Sequence, residues 1–214
     1  MVRLRILAAA MPVAFFLTIA ALFRGAVAAP DPGSMFMMEL RDQAIAQLAD
    51  SAISEQERQL RFQALLRKNF NLPFVSRFVL GRYWNKAEDS ARTEFIVAFE
   101  SYIAQRFLPF FAEYKGRKIE IGEAKDPQNG GDIVSVGSKI SRDEGEPILI
   151  TWRLQQTADG YKIIDVVTAG LSMAVTLRSE FASVLKANGG DLRDTAKVLR
   201  SKLTQRSAAT KQQG

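Results

Sequence analysis

Apolar residues change their spacing twice along this chain, from helical to alternating and back to helical. From Phe36 onward, Leu40, Ala44, Ile45, Leu48 and Ala49 lie on one side of a helix. Ser54-Glu55-Gln56-Glu57 is an S-x-x-E capping box opening a second helix, with Leu60, Ala64 and Leu65 on its buried side. Phe70 to Trp84 contains Pro73, a helix-start residue, and Leu80-Gly81, where glycine permits the left-handed turn that ends a helix. Residues 89–114 predict the strongest helix, with Phe95, Phe99, Tyr102, Ile103, Phe107 and Phe110 on one stripe. Pro109 removes a donor and clashes with the preceding turn, so the regular helix should kink or end near Gln105.

After Tyr114 the period drops to two. Ile119-Glu120-Ile121 predicts one strand and Asp132 to Ile140 another, with Val134, Val136, Ser138 and Ile140 on one face. The stretch from Asp126 to Gly131 is turn-forming. Ile148 to Gln155 is a third strand, with Ile150, Trp152 and Leu154 on one face, and Ala158-Asp159-Gly160 turns the chain into a fourth, Tyr161 to Thr168. Helical spacing returns over 171–187, stops at Asn188-Gly189-Gly190, and resumes after Asp191 with Leu192, Ala196, Leu199 and Leu203. This order predicts an α+β fold: a curved four-stranded antiparallel sheet with helices packed on one face, enclosing an apolar core or pocket.

The first 28 residues follow a different logic. Arg3 and Arg5 precede an apolar run from Ile6 to Phe23, and Ala26-Val27-Ala28 is an A-x-A cleavage signal. The expected organisation is a signal peptide at 1–28, a flexible leader at 29–35, one domain at 36–204 and a disordered tail at 205–214. An uncleaved membrane anchor is the alternative for the run, although Pro12 interrupts it. Cleavage places the working protein outside the cytoplasm.

Charge and composition then narrow the chemistry. Of the 29 Lys and Arg residues, three (Arg3, Arg5 and Arg24) lie within 1–28, which holds no acid. The remainder has 26 basic and 23 acidic residues, so its net charge of +3 gives no argument for nucleic acid. There is no Cys, hence no disulfide framework for an exported chain. There is no His, which excludes Ser-His-Asp and Cys-His nucleophile systems and the commonest metal ligand. No cofactor or metal is implied.

Several strings together resemble a known family. Leu80-Gly81-Arg82-Tyr83-Trp84 is similar to the LGRYW segment of the MlaC-like, toluene-tolerance family of periplasmic phospholipid-shuttle proteins. Phe95-x-x-x-Phe99 follows at a fitting distance. Tyr161-Lys162-Ile163-Ile164-Asp165-Val166-Val167 resembles the family's W-K-V-Y-D-V-V strand, and Gly170-Leu171-Ser172 and Arg178-Ser179-Glu180-Phe181 its following strings. The resemblance covers about residues 36–204. The chain departs from the family pattern at Ala87-Glu88-Asp89-Ser90, at Trp152 and at Tyr161.

The resemblance implies a soluble carrier that holds phospholipid by its acyl chains and passes it between an outer-membrane lipoprotein complex and an inner-membrane ABC lipid transporter. Transient proximity to membranes follows from that role. A hopanoid or other apolar lipid is the alternative cargo. Phe95, Phe99, Ile103, Phe107, Val134, Val136, Ile150, Trp152, Leu154, Met173, Val175 and Leu177 are the candidates for a lipid-lined pocket, each with ordinary core as its plainer role. Gly81, Arg82, Asp165 and Arg178 are expected to be structural, with Asp165 paired to Arg82 or Arg178. Two other classes stay open: a cone-shaped enzyme using a buried Asp165 as base, and an adaptor with a filled core. Lys115, Arg117 and Lys118 form a basic run, either a solvated edge or a head-group patch.

Overall fold

The computed structural model describes residues 31–113, 116–125 and 131–212; the expected signal peptide and most of the 126–131 turn lie outside them. Five helices come first: α1 (Pro32–Leu48), α2 (Glu55–Asn69), α3 (Leu72–Leu80), α4 (Arg82–Lys86) and α5 (Asp89–Glu113). Five strands follow: β1 (Ile119–Lys125), β2 (Ile133–Ile140), β3 (Ile148–Thr157), β4 (Gly160–Thr168) and β5 (Leu171–Ser172). Two helices close the described chain, α6 (Met173–Ala187) and α7 (Leu192–Gln212).

The sheet is antiparallel in the order β1-β2-β3-β4-β5. It therefore has five strands, not the four expected. The additional strand has only two residues, too short for an alternating pattern to reveal, and pairs Thr168 with Leu171 across a two-residue turn. Both turn residues are left-handed, Ala169 at φ 48° and Gly170 at φ 77°, the geometry that matches the twist of a tight hairpin.

Three further expectations need correction. Residues 32–35, expected as leader, form the first turn of α1, because Asp31 caps the helix and Pro32 suits its first position. Residues 205–212, expected as disordered tail, continue α7. Pro109 lies inside α5, which runs on to Glu113, so the helix does not end near Gln105. The proline is exposed and neighbouring Leu108 is buried, so core packing holds the helix across one missing donor.

Other local signals were met. Ser54 caps α2, its Oγ accepting from Glu57 N at 3.1 Å. Gly81 ends α3 at φ 53°. Helix α5 lies at the centre of a helical layer, packed against α2, α3 and α7, while α1 covers β1 and β2 and α2, α3 and α6 reach β4.

Helix α1 is fastened where the β1–β2 register slips, between Ile121 and Ala124. Asp31 Oδ2 accepts from Ala124 N at 2.9 Å, and Ser34 Oγ donates to Gly122 O at 2.8 Å. Gly33 allows this approach: a Cβ there would stand 3.2 Å from Ala124 Cβ and 3.3 Å from Val134 Cγ2. Burial works against the Asp31 charge, but hydrogen bonds from Ser34 and Ala124 outweigh it and hold the carboxyl below its ordinary value of 3.8. Since the folded pKa is depressed, this contribution is fully present above about pH 4 and lost as pH falls through the folded value. Asp31→Ala is expected to cost roughly 1–2 kcal/mol in urea unfolding at pH 7, with a smaller difference from wild type near pH 3.

Candidate functional site

The register of β1 to β4 puts one apolar set on a single face. Val134 stands opposite Leu154, Val136 opposite Trp152, Ser138 opposite Ile150 and Ile140 opposite Ile148. Across the next ladder Leu154 meets Ile163, Trp152 meets Val166 and Ile150 meets Thr168. Directly opposed residues share a face, so these form one continuous surface. It carries no ionisable side chain. Its indole donor, Trp152 Nε1, is satisfied by Ser138 Oγ at 2.9 Å, and Thr168 Oγ1 donates to Leu149 O at 3.5 Å.

This face is closed at one end and open at the other. Val136, Leu154 and Ile163 are fully buried with Met37 of α1, in a cluster that Phe36, Leu40 and Phe70 flank. Along β2 burial persists to Ile140. Along β3 and β4 it does not: Ile148, Ile150, Trp152, Val166 and Thr168 are half-exposed, and Leu171 on β5 is 67% exposed. A lane of apolar surface thus opens from Leu154 towards β5.

The helical layer forms a separate core. Phe95 and Phe99 are fully buried, stacked with centroids 5.5 Å apart, and Phe181 meets both edge-on at 5.7 and 5.6 Å. Ile103 and Leu177 are buried with them, and Phe107 is half-buried against them. The candidates therefore divide into two groups. Val134, Val136, Ile150, Trp152 and Leu154 come together on the sheet; Phe95, Phe99, Ile103, Phe107 and Leu177 come together among helices. Met173 begins α6 half-buried, and Val175 is exposed. Phe70, which packs against both clusters, links the two. Its backbone bridges to Ile163 in parallel fashion, and Asn71 N donates to Ile163 O at 2.9 Å.

Sequence reasoning missed Phe70, Phe36, Met37 and Val166. The α1 pair stands next to the Leu40 periodicity, so a longer window would have found it; Phe70 sits between helices, where no period applies. A groove of about 450 Å³ opens beside Val79, Gly81, Tyr83 and Arg178, on the α3–α4–α6 surface.

Asp165 has a different partner from the one expected. It pairs with Arg153 at 3.3 Å, not with Arg82 or Arg178, because Arg153 is its cross-strand neighbour. Its Oδ1 accepts from Val166 N at 2.9 Å and from Ala174 N at 3.0 Å, at the start of α6. Arg153 and Asp165 fall between the inward pairs Leu154–Ile163 and Trp152–Val166, so the carboxylate is turned away from the lane. Arg82 donates to Tyr83 Oη, and Arg178 to Phe78 O. Of the basic run, Arg117 pairs with Asp143 at 2.8 Å and Lys118 with Glu120 at 2.7 Å; Lys115 lies outside the described residues.

These features meet known proteins at one place. The family model described as "MlaC protein" matches residues 39–201. The chain belongs to the MlaC family. It is 27% identical over 124 residues to the intermembrane phospholipid transport system binding protein MlaC of Haemophilus influenzae, a match covering 56% of this chain and 58% of that one. It is 25% identical over 114 residues to the toluene tolerance protein ttg2D of Pseudomonas putida, covering 53% and 52%. The chain thus spans somewhat over half the length of these curated relatives. A phospholipid-binding protein from Ralstonia solanacearum, solved in complex with a phospholipid, shares the fold at TM-score 0.70 and 17% identity, over 83% of this chain and 98% of that one.

In this MlaC-family chain, Asp165 is expected to act through packing. Asp165→Ala leaves two backbone donors and Arg153 without their acceptor and is expected to destabilise by about 2–3 kcal/mol. Arg153→Gln, at a half-exposed guanidinium, should lose less than about 1 kcal/mol. Chemical unfolding of the two variants measures the difference.

Proposed function

We propose that this protein is a periplasmic carrier that takes up one phospholipid at a time by its acyl chains, along the open lane between Leu154 and Leu171. The observation that carries this reading is the uncharged inner face of β3 and β4, buried at one end and half-exposed at Ile150, Trp152 and Val166. A filled core has no reason to leave a tryptophan and three aliphatic side chains partly in water. An acyl chain laid along them gains roughly 0.8 kcal/mol for each methylene buried. Family membership and the names of the relatives favour phospholipid over a hopanoid as cargo.

The carrier is proposed to work between an outer-membrane lipoprotein complex and an inner-membrane ABC transporter, helping to keep the outer membrane asymmetric. The signal-like segment at 1–28 supports export to the periplasm. The enzyme alternative finds less support, since Asp165 is engaged by three donors on the opposite side of the sheet.

The chain has two tryptophans, Trp84 and Trp152. In a Trp84→Phe background, Trp152 becomes the only indole reporter. After incubation with vesicles of phosphatidylcholine brominated on its acyl chains, and removal of the vesicles, its fluorescence should remain quenched. Ile150→Asp, which puts a charge beside the lane, should abolish the quenching with the fold intact by circular dichroism. Unquenched fluorescence in the parent protein would contradict the carrier reading.

A further inference from the structure

Helices α3, α4 and α6 expose an unbalanced charge. Arg77, Arg82, Lys86, Arg178 and Lys186 are all exposed, and among the described residues none is in an ion pair. Glu180, the one acid of these three helices, is already held by Arg106 through bonds of 2.6 and 2.9 Å. Three of the cations, Arg82, Arg178 and Lys186, rim the 450 Å³ groove, over a floor that includes buried Leu80 and Leu185.

The groove is built by close approaches. A Cβ on Gly190 would strike the Tyr83 ring at 2.5 Å, and a Cβ on Gly81 would come within 3.2 Å of Arg178 Nη2. The Arg178 guanidinium lies 5.0 Å from the centroid of Phe78 and donates to Phe78 O at 3.1 Å. The ring and backbone carbonyl therefore position this cation without neutralising it.

The cationic surface continues into an apolar edge. Val175, Arg178, Ala182 and Lys186 follow one another at helical spacing along α6, and all four are exposed. Val175 is 52% exposed, and Leu171, presented by the Ala169-Gly170 turn, is 67% exposed. Leu171 pairs with Thr168, which pairs with Ile150, so this edge is the rim of the apolar lane.

Exposed aliphatic residues followed by uncompensated cations match the interface of a bilayer that carries anionic lipid. The apolar residues suit the acyl boundary and the cations suit the phosphates. An acidic protein would match the cations but gives no reason for the apolar edge to run into the lane. We propose that Leu171, Val175, Arg178 and Lys186 dock the protein on an anionic bilayer, with the mouth of the lane facing the membrane. The inference rests on the carrier reading for its purpose, since docking there shortens the path of an acyl chain.

Sedimentation of the protein with phosphatidylcholine vesicles, with and without phosphatidylglycerol, tests it. Binding is expected only with phosphatidylglycerol and should weaken as salt is raised. Arg178→Gln and Lys186→Gln should each weaken it roughly fivefold, and Leu171→Ser should weaken it at all salt concentrations. Arg178→Gln and Lys186→Gln, which lie outside the lane, should still be quenched by a short-chain brominated phospholipid offered without vesicles. That second readout separates the two ideas: failed quenching in the parent protein counts against carriage, whatever the vesicles show. Equal binding to both vesicle types, no binding to either, or binding unchanged in Lys186→Gln and Leu171→Ser would overturn the docking surface and point to a protein partner.

Discussion

The buried carboxylate of Asp165 joins three elements. It holds β3 through Arg153, β4 through its own neighbour Val166, and α6 through Ala174. A carboxylate withdrawn from water needs such donors, and here they come from both sides of the boundary between sheet and helices. Two residues earlier, Ile163 ties the α2–α3 junction to the same strand through Phe70 and Asn71. Strand β4 is thus where the helical layer is attached, and its outer edge is covered on both halves, as an otherwise exposed edge requires.

Attachment along β4, rather than across the whole sheet, leaves the inner face partly uncovered. Helix α1 closes one end, pinned by Asp31 and Ser34 to the slipped register of β1. The long aromatic helix spends its two largest buried rings, Phe95 and Phe99, on other helices. What remains over β3 and β4 is a surface of hydrocarbon with its indole N–H already satisfied. Such a surface takes acyl chains without chemistry. A bilayer offers the same chains a similar environment, so a carrier needs only to match it for exchange to run near balance.

The elements were legible in the sequence because their periods are clean: the alternation of Val134, Val136 and Ile150, Trp152, Leu154 fixes strands and face together. The partner of Asp165 was not, because spacing along a chain says nothing about which arginine lies opposite once the strands pair. The bulge that separates Leu154–Ile163 from Trp152–Val166 also leaves no mark in the pattern. The lane itself was legible only in outline. An aromatic stripe such as Phe95, Phe99 and Ile103 reads the same whether it meets a ligand or another helix, and burial decides between them.

The most direct test of the account is native mass spectrometry of the protein purified without detergent, followed by extraction and identification of any bound lipid. The account predicts a co-purifying lipid with two acyl chains at about one per protein, lost on Ile150→Asp. A bare protein mass that persists after incubation with phospholipid vesicles would contradict it.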